Sequence, residues 1–442
     1  MSTSSPIARV LCGSRGRHEL AQPWTSEVRP RTEHGLVHEL LPTHKDRAGL
    51  DKTLRDNAPL RIVKGAARRH LEVPVEIIPY SPAHHQAVDR LNARLAAAGS
   101  EWRFPPRERP PSAEELAVWN ESFVAVADGE VCGGYILKHQ QFFLEGRPLD
   151  VGSLQLPVSL GEVDSEFARV SVALLFDVIR RSPHVYSLGL GSEDTQFARL
   201  LAAARWRHVT VPFYFSVKSG NRFARNIRLP ADRAVVQSAL RVLGHARLAG
   251  VALRLRQTLG SPRHRATPAA SEQWRQPADF DDFADDLFAA NVEAYGLVAD
   301  RRMSALRRLY PAEDGRFLRL VVEREDRAIG WALVLDTQMS DDKYFGAMRV
   351  GSIADCFAAP GDAYAVVSAA DEFLSQRGVD IVVSNQLHPQ WCQALKIAGY
   401  KSGPSNFFFY FSADLAERLD ASVDWEQKIH LNRGDGEGPA HL

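Results

Sequence analysis

The sequence predicts an α/β protein with mixed sheets built twice over, two units of one element order in tandem joined by a helical linker. At 442 residues the chain exceeds what a single hydrophobic core of about 100–200 residues accommodates. Strand, helix, strand meander, helix, strand, helix, strand reads off two separate stretches. Two short words also return in order at nearly equal spacing. Val151-Gly152-Ser153 comes back as Val350-Gly351-Ser352, and Phe213-Tyr214-Phe215-Ser216 as Phe409-Tyr410-Phe411-Ser412.

The elements follow from local pattern. Residues 1–72 are rich in Arg, His, Ser, Thr and Pro without apolar periodicity, which predicts a mobile tail. Val73–Tyr80 reads as a strand and Pro82–Ala98 as a helix opened by Ser-Pro and stopped at Gly99. Asp128-Gly129 and Glu145-Gly146 punctuate a strand meander. A helix follows with Phe167, Val170, Leu174, Leu175, Val178 and Ile179 on one face. VYSLGL is a strand, Thr195–Ala204 a helix, and VTVPFYFSV a closing strand, so the first unit spans 73–219. The linker, 220–277, holds the basic amphipathic stretch 240–259 with Arg241, His245, Arg247, Arg254 and Arg256. Such a helix packs on a domain, or lies on an anionic membrane or acidic partner. The second unit, 278–415, repeats the order. Its long helix turns Val366, Val367, Ala370, Phe373 and Leu374 to one side, and NFFFYFS ends it before a C-terminal tail, 416–442.

Composition excludes several classes. Apolar residues are 45% and charged residues 24%, which rules out a mainly disordered, collagen-like or disulfide-stapled chain. Lys+Arg and Asp+Glu are both 54, leaving no basic surplus for a dedicated nucleic-acid binder. Cys12, Cys132, Cys356 and Cys392 stand in no metal-ligand register, so no metal site follows, and dispersed cysteines fit a reducing cytoplasm. No 18-residue apolar run occurs. GxSxG, GxxxxGK[ST] and a strand-linked GxGxxG are all missing, which leaves hydrolase, nucleotide-triphosphatase and dinucleotide readings without a motif.

Each unit resembles the GCN5-related N-acetyltransferase (GNAT) fold, over Pro74–Lys218 and Asp279–Asp414. The resemblance rests on element order and on the closing helix, DTQFARLLAAARW and HPQWCQALKIAGY, whose following aromatic is Trp206 or Tyr400. Leu201 and Leu395 stand where the family often has a general-acid Tyr. The family's pyrophosphate loop is Arg/Gln-x-x-Gly-x-Gly/Ala, where glycines and a helix N-terminus let N–H groups approach phosphate. The second copy keeps Gly361 and Ala363 around Asp362 but has Ala358 in place of Arg or Gln. The first has Gly161 followed by Glu162, Asp164 and Glu166, which repel phosphate.

The resemblance implies acyl transfer from acetyl-CoA or another acyl-CoA to an amine or hydroxyl of a small or polymer-linked acceptor, with the donor on the second copy. Gly361, Asp362 and Ala363 would then meet the donor's phosphates, and Asn385 its pantetheine arm or simply a turn. Asp355, at the end of the central strand, would be the base, or an ordinary capping carboxylate. His388 would touch the donor or relay a proton, or cap the helix at Pro389. Tyr410 would be the acid or a packing residue between Phe409 and Phe411. Cys356, alternating away from Asp355, reads as a core thiol. A FemAB-like tandem arrangement using aminoacyl-tRNA is an alternative, favoured by the basic linker alone. A non-catalytic GNAT-fold binding protein is another, favoured by the missing Arg/Gln and Tyr.

Overall fold

The computed structural model describes residues 74–106, 117–191, 194–228, 238, 272–422 and 424–436. The proposed N-terminal tail and all of the basic stretch 240–259 lie outside them.

The first half runs β1 (Glu76–Pro79), α1 (His85–Ala97), β2 (Val118–Ala127), β3 (Glu130–Leu144), β4 (Arg147–Ser159), α2 (Ala168–Arg181), β5 (Val185–Leu190), α3 (Gln196–Ala203), β6 (Arg207–Thr210), β7 (Phe213–Val217) and α4 (Gly220–Asn226). The second half runs β8 (Glu272–Arg275), α5 (Asp282–Asn291), β9 (Leu297–Ala299), α6 (Met303–Leu309), β10 (Leu318–Arg324), β11 (Arg327–Gln338), β12 (Arg349–Ala358), α7 (Ala363–Gln376), β13 (Ile381–Asn385), α8 (Pro389–Ile397), β14 (Lys401–Gly403) and β15 (Phe407–Phe411). It closes with α9 (Ala413–Asp420), α10 (Trp425–Lys428) and β16 (Ile429–His430).

These elements form the two mixed sheets that the sequence predicts. The meander turns as expected: Asp128-Gly129 and Glu145-Gly146 both hold positive φ, the conformation that two-residue hairpins require. The two long helices bury the predicted stripes. Val170, Leu174, Leu175 and Val178 of α2 pack over the first sheet beside Val88, Leu91 and Leu95 of α1. Val366, Val367, Ala370, Phe373 and Leu374 of α7 cover the second. Each such side chain contributes about 1.5–3 kcal/mol on burial.

The sheets do not follow the chain halves. The first has the order β1-β2-β3-β4-β5-β15-β6 and the second β14-β7-β13-β12-β11-β10-β8. Strand β7 leaves the first half to pair with β13, and β15 leaves the second half to pair with β5, so the halves exchange a strand. The exchanged strands keep one register: Phe213 faces Asn385 as Phe409 faces Leu188. This corrects the reading of VTVPFYFSV as one strand, because Arg207–Thr210 lies in the first sheet and Phe213–Val217 in the second. Pro212 sits at the first crossing, and Pro404 at the other, between β14 and β15. Proline has no N–H to give to a ladder, so a strand that changes partners can break there without leaving a donor stranded.

A second correction concerns 416–442. The described part of this segment is not a tail. Strand β16 pairs with β9, and Ile429, His430, Leu431, Asn432 and Asp435 are fully buried. The unit boundaries at 219 and 278 therefore cut across both sheets, although most of each half packs in its own cluster. We predict that 73–219 and 272–442 are each insoluble when expressed alone and form a soluble complex when co-expressed. Size-exclusion chromatography reads the outcome, and a stable monomeric 73–219 fragment contradicts it.

Candidate active site

In both sheets a parallel pair stands at the centre and then diverges. The repeated Val-Gly-Ser word begins each pair. Gly152 aligns with Val185 and Ser153 with Tyr186, where the β4–β5 ladder ends. Strands β12 and β13 pair from Val350 with Ile381 to Ile353 with Ser384 and then part. Each divergence follows a register shift against the preceding strand, between Gly134 and Ile136 in β3 and between Leu333 and Val334 in β11. Three residues beyond the shared serine, Leu156 in β4 and Asp355 in β12 occupy corresponding places. Leu156 holds a φ of 45°, a conformation unusual for a branched residue, as the strand turns away.

The second gap is filled by the chain itself. Asn432 forms an antiparallel bridge with Gln386, and the Leu387 N–H donates to the Leu431 carbonyl at 3.0 Å. The segment then threads between the sheets. The Asp435 carbonyl accepts from the Tyr186 hydroxyl at 2.6 Å and from Lys138 Nζ at 3.3 Å. Gly434 passes so close to Asp355 that a Cβ would lie 2.7 Å from its Oδ2, and Gly436 so close to β5 that a Cβ would lie 2.5 Å from the Leu188 oxygen.

Asp355 is consumed by this packing. Its Oδ1 accepts from Arg301 Nε at 3.2 Å, Asn432 Nδ2 at 2.8 Å and its neighbour's N–H on Cys356 at 2.8 Å; its Oδ2 accepts from the Tyr310 hydroxyl at 2.6 Å. Arg301 also donates to Asp435 at 2.5 Å, and all three charged side chains are fully buried. Burial pushes the Asp355 carboxyl up, Arg301 pulls against it, and the Asp435 charge pushes with burial. Burial works against the Arg301 charge, but the two carboxylates outweigh it and raise its pKa. A fully buried carboxylate with four donors engaged on its two oxygens is a structural anchor, so the reading of Asp355 as a catalytic base is corrected.

The other predicted residues divide. Asn385 is buried under Arg433, which donates to its Oδ1 at 3.2 Å, so no donor arm reaches it. Burial lowers the Arg433 pKa to about 10. His388 is the cap: its Nδ1 accepts from the Gln390 N–H at 3.3 Å, and its ring meets Tyr295 edge-on. Asp362 pairs with Arg324 at 2.9 Å, Gly361 has open space where a Cβ would stand, and Ala363 is buried at the start of α7. Tyr410 belongs to the first sheet, opposite Ser187, and is thus separated from Asp355 by the strand exchange. Cys356 is a buried core thiol, as expected. Arg301, Tyr310, Asn432 and Asp435 carry no motif and are missed by sequence reasoning; only the Asn432–Asp435 capping box signals a fixed turn.

The first gap is different. The Gly191 N–H donates to the Asn406 carbonyl and the Ser412 N–H to that of Val185, which fixes the phase of the β5–β15 ladder. Leu188 and Leu190 therefore turn their main-chain groups away from β15, toward β4, beyond the point where the β4–β5 ladder has ended. Leu156, Pro157, Ser187 and Gly189 along this gap are half-buried, whereas Asp355, Cys356, Ser384 and Gln386 at the corresponding places of the second are fully buried. A Cβ on Gly189 would meet nothing within 4 Å. Beside the gap, on the neighbouring strands, Phe408, Tyr410 and His208 form an aromatic group with ring centroids 5.1–5.9 Å apart.

Among the described residues no helix is long and apolar enough to cross a membrane, and no cluster of three His, Cys, Asp or Glu could hold a metal ion. No family model and no curated protein matches the chain. Solved structures do. The chain is similar to the N-myristoyltransferase of Saccharomyces cerevisiae with bound myristoyl-CoA, at 10% identity and a TM-score of 0.46 over 81% of this chain and 84% of that one. It is similar to a tandem GNAT protein from the clavulanic acid biosynthesis pathway, at 12% identity and 0.43 over 76% and 98%. It is also similar to a fungal multi-domain β-N-acetylglucosaminidase with a GCN5-related glucosamine N-acetyltransferase region, at 15% identity and 0.45, where it spans 38% of that chain and the match covers 77% of this one. The neighbours thus include GNAT-fold proteins, the family that the element order resembles.

Two buried histidines set a pH dependence. Burial lowers the pKa of His388 from the usual 6.5 to about 4 and that of His430 well below its usual value. Between those limits the unfolded chain binds protons that the fold refuses, so stability is lost as pH falls from 6.5 toward 4. His388 alone accounts for about 3 kcal/mol across that window. Urea unfolding at pH 7 and 5 reads the loss, and His388→Asn, which keeps a capping acceptor, shows a smaller pH dependence. An equal dependence in both proteins contradicts the assignment.

Proposed function

We propose that the protein transfers an acyl group from a pantetheine thioester, of which acyl-CoA is the simplest, to an amine or hydroxyl, with the donor's arm in the gap between β4 and β5. One observation carries the reading: of two corresponding gaps, the second is closed by Leu431 and Asn432, and the first, where the β4–β5 ladder ends at Ser153 and Tyr186, keeps Leu156, Pro157, Ser187 and Gly189 only half-buried. A pantetheine arm is an extended chain with two amides, and it suits a place where a sheet lacks a strand.

The chemistry is balanced with groups at this gap. The acceptor's nitrogen or oxygen attacks the thioester carbonyl, the C–S bond breaks, and the acceptor's proton passes to solvent. The departing thiolate takes a proton, for which Tyr410, one strand away on β15, is the candidate donor. The donor thus moves from the second copy, favoured by sequence, to the first. A small or polymer-linked acceptor fits this reading; only the basic stretch 240–259 of the linker, which lies outside the described residues, favours aminoacyl-tRNA over a thioester.

Calorimetric titration of acetyl-CoA into the full chain tests it, using two matched variants whose new Cβ meets nothing within 4 Å. Gly189→Leu is expected to weaken binding at least about tenfold, and Gly361→Leu to leave it unchanged. The opposite pattern places the donor on the second copy, and no binding by the wild type favours the non-catalytic alternative. With an acceptor in hand, Tyr410→Phe is expected to lower turnover about 10²-fold with donor affinity retained.

A further inference from the structure

The loop that leads from the first gap into α2 is where a donor's pyrophosphate would lie, because a ligand leaving the gap along that helix meets its first N–H groups. Most of those groups are already spent. The Gly161 N–H donates to Ser159 Oγ at 3.0 Å, and the Val163 and Asp164 N–H groups donate to the Leu160 carbonyl at 3.1 and 2.9 Å. The Glu166 N–H donates to Asp164 Oδ1 at 3.0 Å, the Phe167 N–H to the Asp164 carbonyl at 3.0 Å, and the Ala168 N–H to the Ser165 carbonyl. Gly161 is packed too, since a Cβ there would stand 2.7 Å from the Phe167 oxygen.

Charge points the same way. Glu162, Asp164 and Glu166 lie within this loop. Of the cations nearby, Arg94 is 3.9 Å from Asp164, and Arg169 lies in the first turn of α2. A pyrophosphate placed here would meet three carboxylates and few spare N–H groups, and like charges at short range repel. The gap itself keeps half-buried main chain at Leu156, Pro157, Ser187 and Gly189, so one part of a nucleotide-linked thioester site is present and the other is not.

We propose that the donor of the first gap is a pantetheine thioester presented without an adenosine diphosphate, as on the prosthetic arm of an acyl carrier protein. The inference rests on the acyl-transfer reading of this gap and narrows its donor class. Recognition then comes from the arm, and the adenosine 3′,5′-bisphosphate portion of CoA adds nothing. The reaction is otherwise the same: the C–S bond breaks, the acyl group passes to the acceptor, and the carrier's thiol is released protonated.

The test compares acetyl-CoA with acetyl-pantetheine on the full chain by calorimetry, with adenosine 3′,5′-bisphosphate as competitor. The inference expects the two dissociation constants to agree within about threefold, little change between low and high salt, and no displacement by the nucleotide. Acetyl-CoA binding more than about tenfold tighter, with an affinity that falls as salt rises, overturns the inference and leaves the gap reading standing. If neither thioester binds, the gap reading fails and takes the inference with it. Glu162→Lys supplies a second readout, expected to tighten acetyl-CoA selectively. Equal effects on both thioesters contradict a role for charge in this loop.

Discussion

Arg301 holds one buried positive charge between two buried carboxylates, Asp355 at the end of β12 and Asp435 in the closing segment. Charges out of water are stable only when fully paired, and removing one partner of such a cluster costs about 3–5 kcal/mol. The rest of the junction depends on this constraint. If Asp435 leaves, Arg301 keeps only Asp355 at 3.2 Å and loses its shorter partner, a cost that holds 429–436 between the sheets. While it stays, Asn432 occupies the second gap and Gly436 lies against β5 of the first.

The strand exchange acts together with that anchor. Each sheet owes an inner strand to the other half of the chain, β15 to the first and β7 to the second. The cores are therefore coupled through backbone as well as side chains. Phe409 and Phe411 of the second half pack with Tyr186 and Leu188 of the first, and Tyr214 of the first half lies in the core of the second. Duplication supplied two equivalent gaps, and the closing segment removed the equivalence. One gap became core, lined by Asp355, Asn385 and Gln386 and filled by main chain; the other kept an unfinished ladder at Leu188.

Local chemistry was legible in the sequence, and long-range pairing was not. The hairpins at Asp128-Gly129 and Glu145-Gly146, the helical stripes of α2 and α7 and the repeated Val-Gly-Ser word depend on neighbours in the chain, and they read correctly. Phe-rich strands such as Phe407–Phe411 suit either sheet equally, so their partner was not legible, although Pro212 and Pro404 mark where the chain crosses. Asp355 was recognised as a residue at the end of the central strand, but its role depends on Arg301, Asn432 and Asp435, each more than 50 residues away. The segment 416–442 looked like a tail because its apolar residues are few. Its described part is buried both through apolar side chains, Leu419, Trp425, Ile429 and Leu431, and through polar groups such as Asn432 and Asp435, a pattern without periodicity.

The central claim, that the first gap is open to a ligand and the second is not, is tested most directly by amide hydrogen exchange with and without saturating acetyl-pantetheine. The account predicts slowed exchange at Tyr186–Leu190 and Leu154–Ser159, with Ser384–His388 already protected and unchanged. Protection gained at Ser384–His388, with none at Leu188, would contradict it.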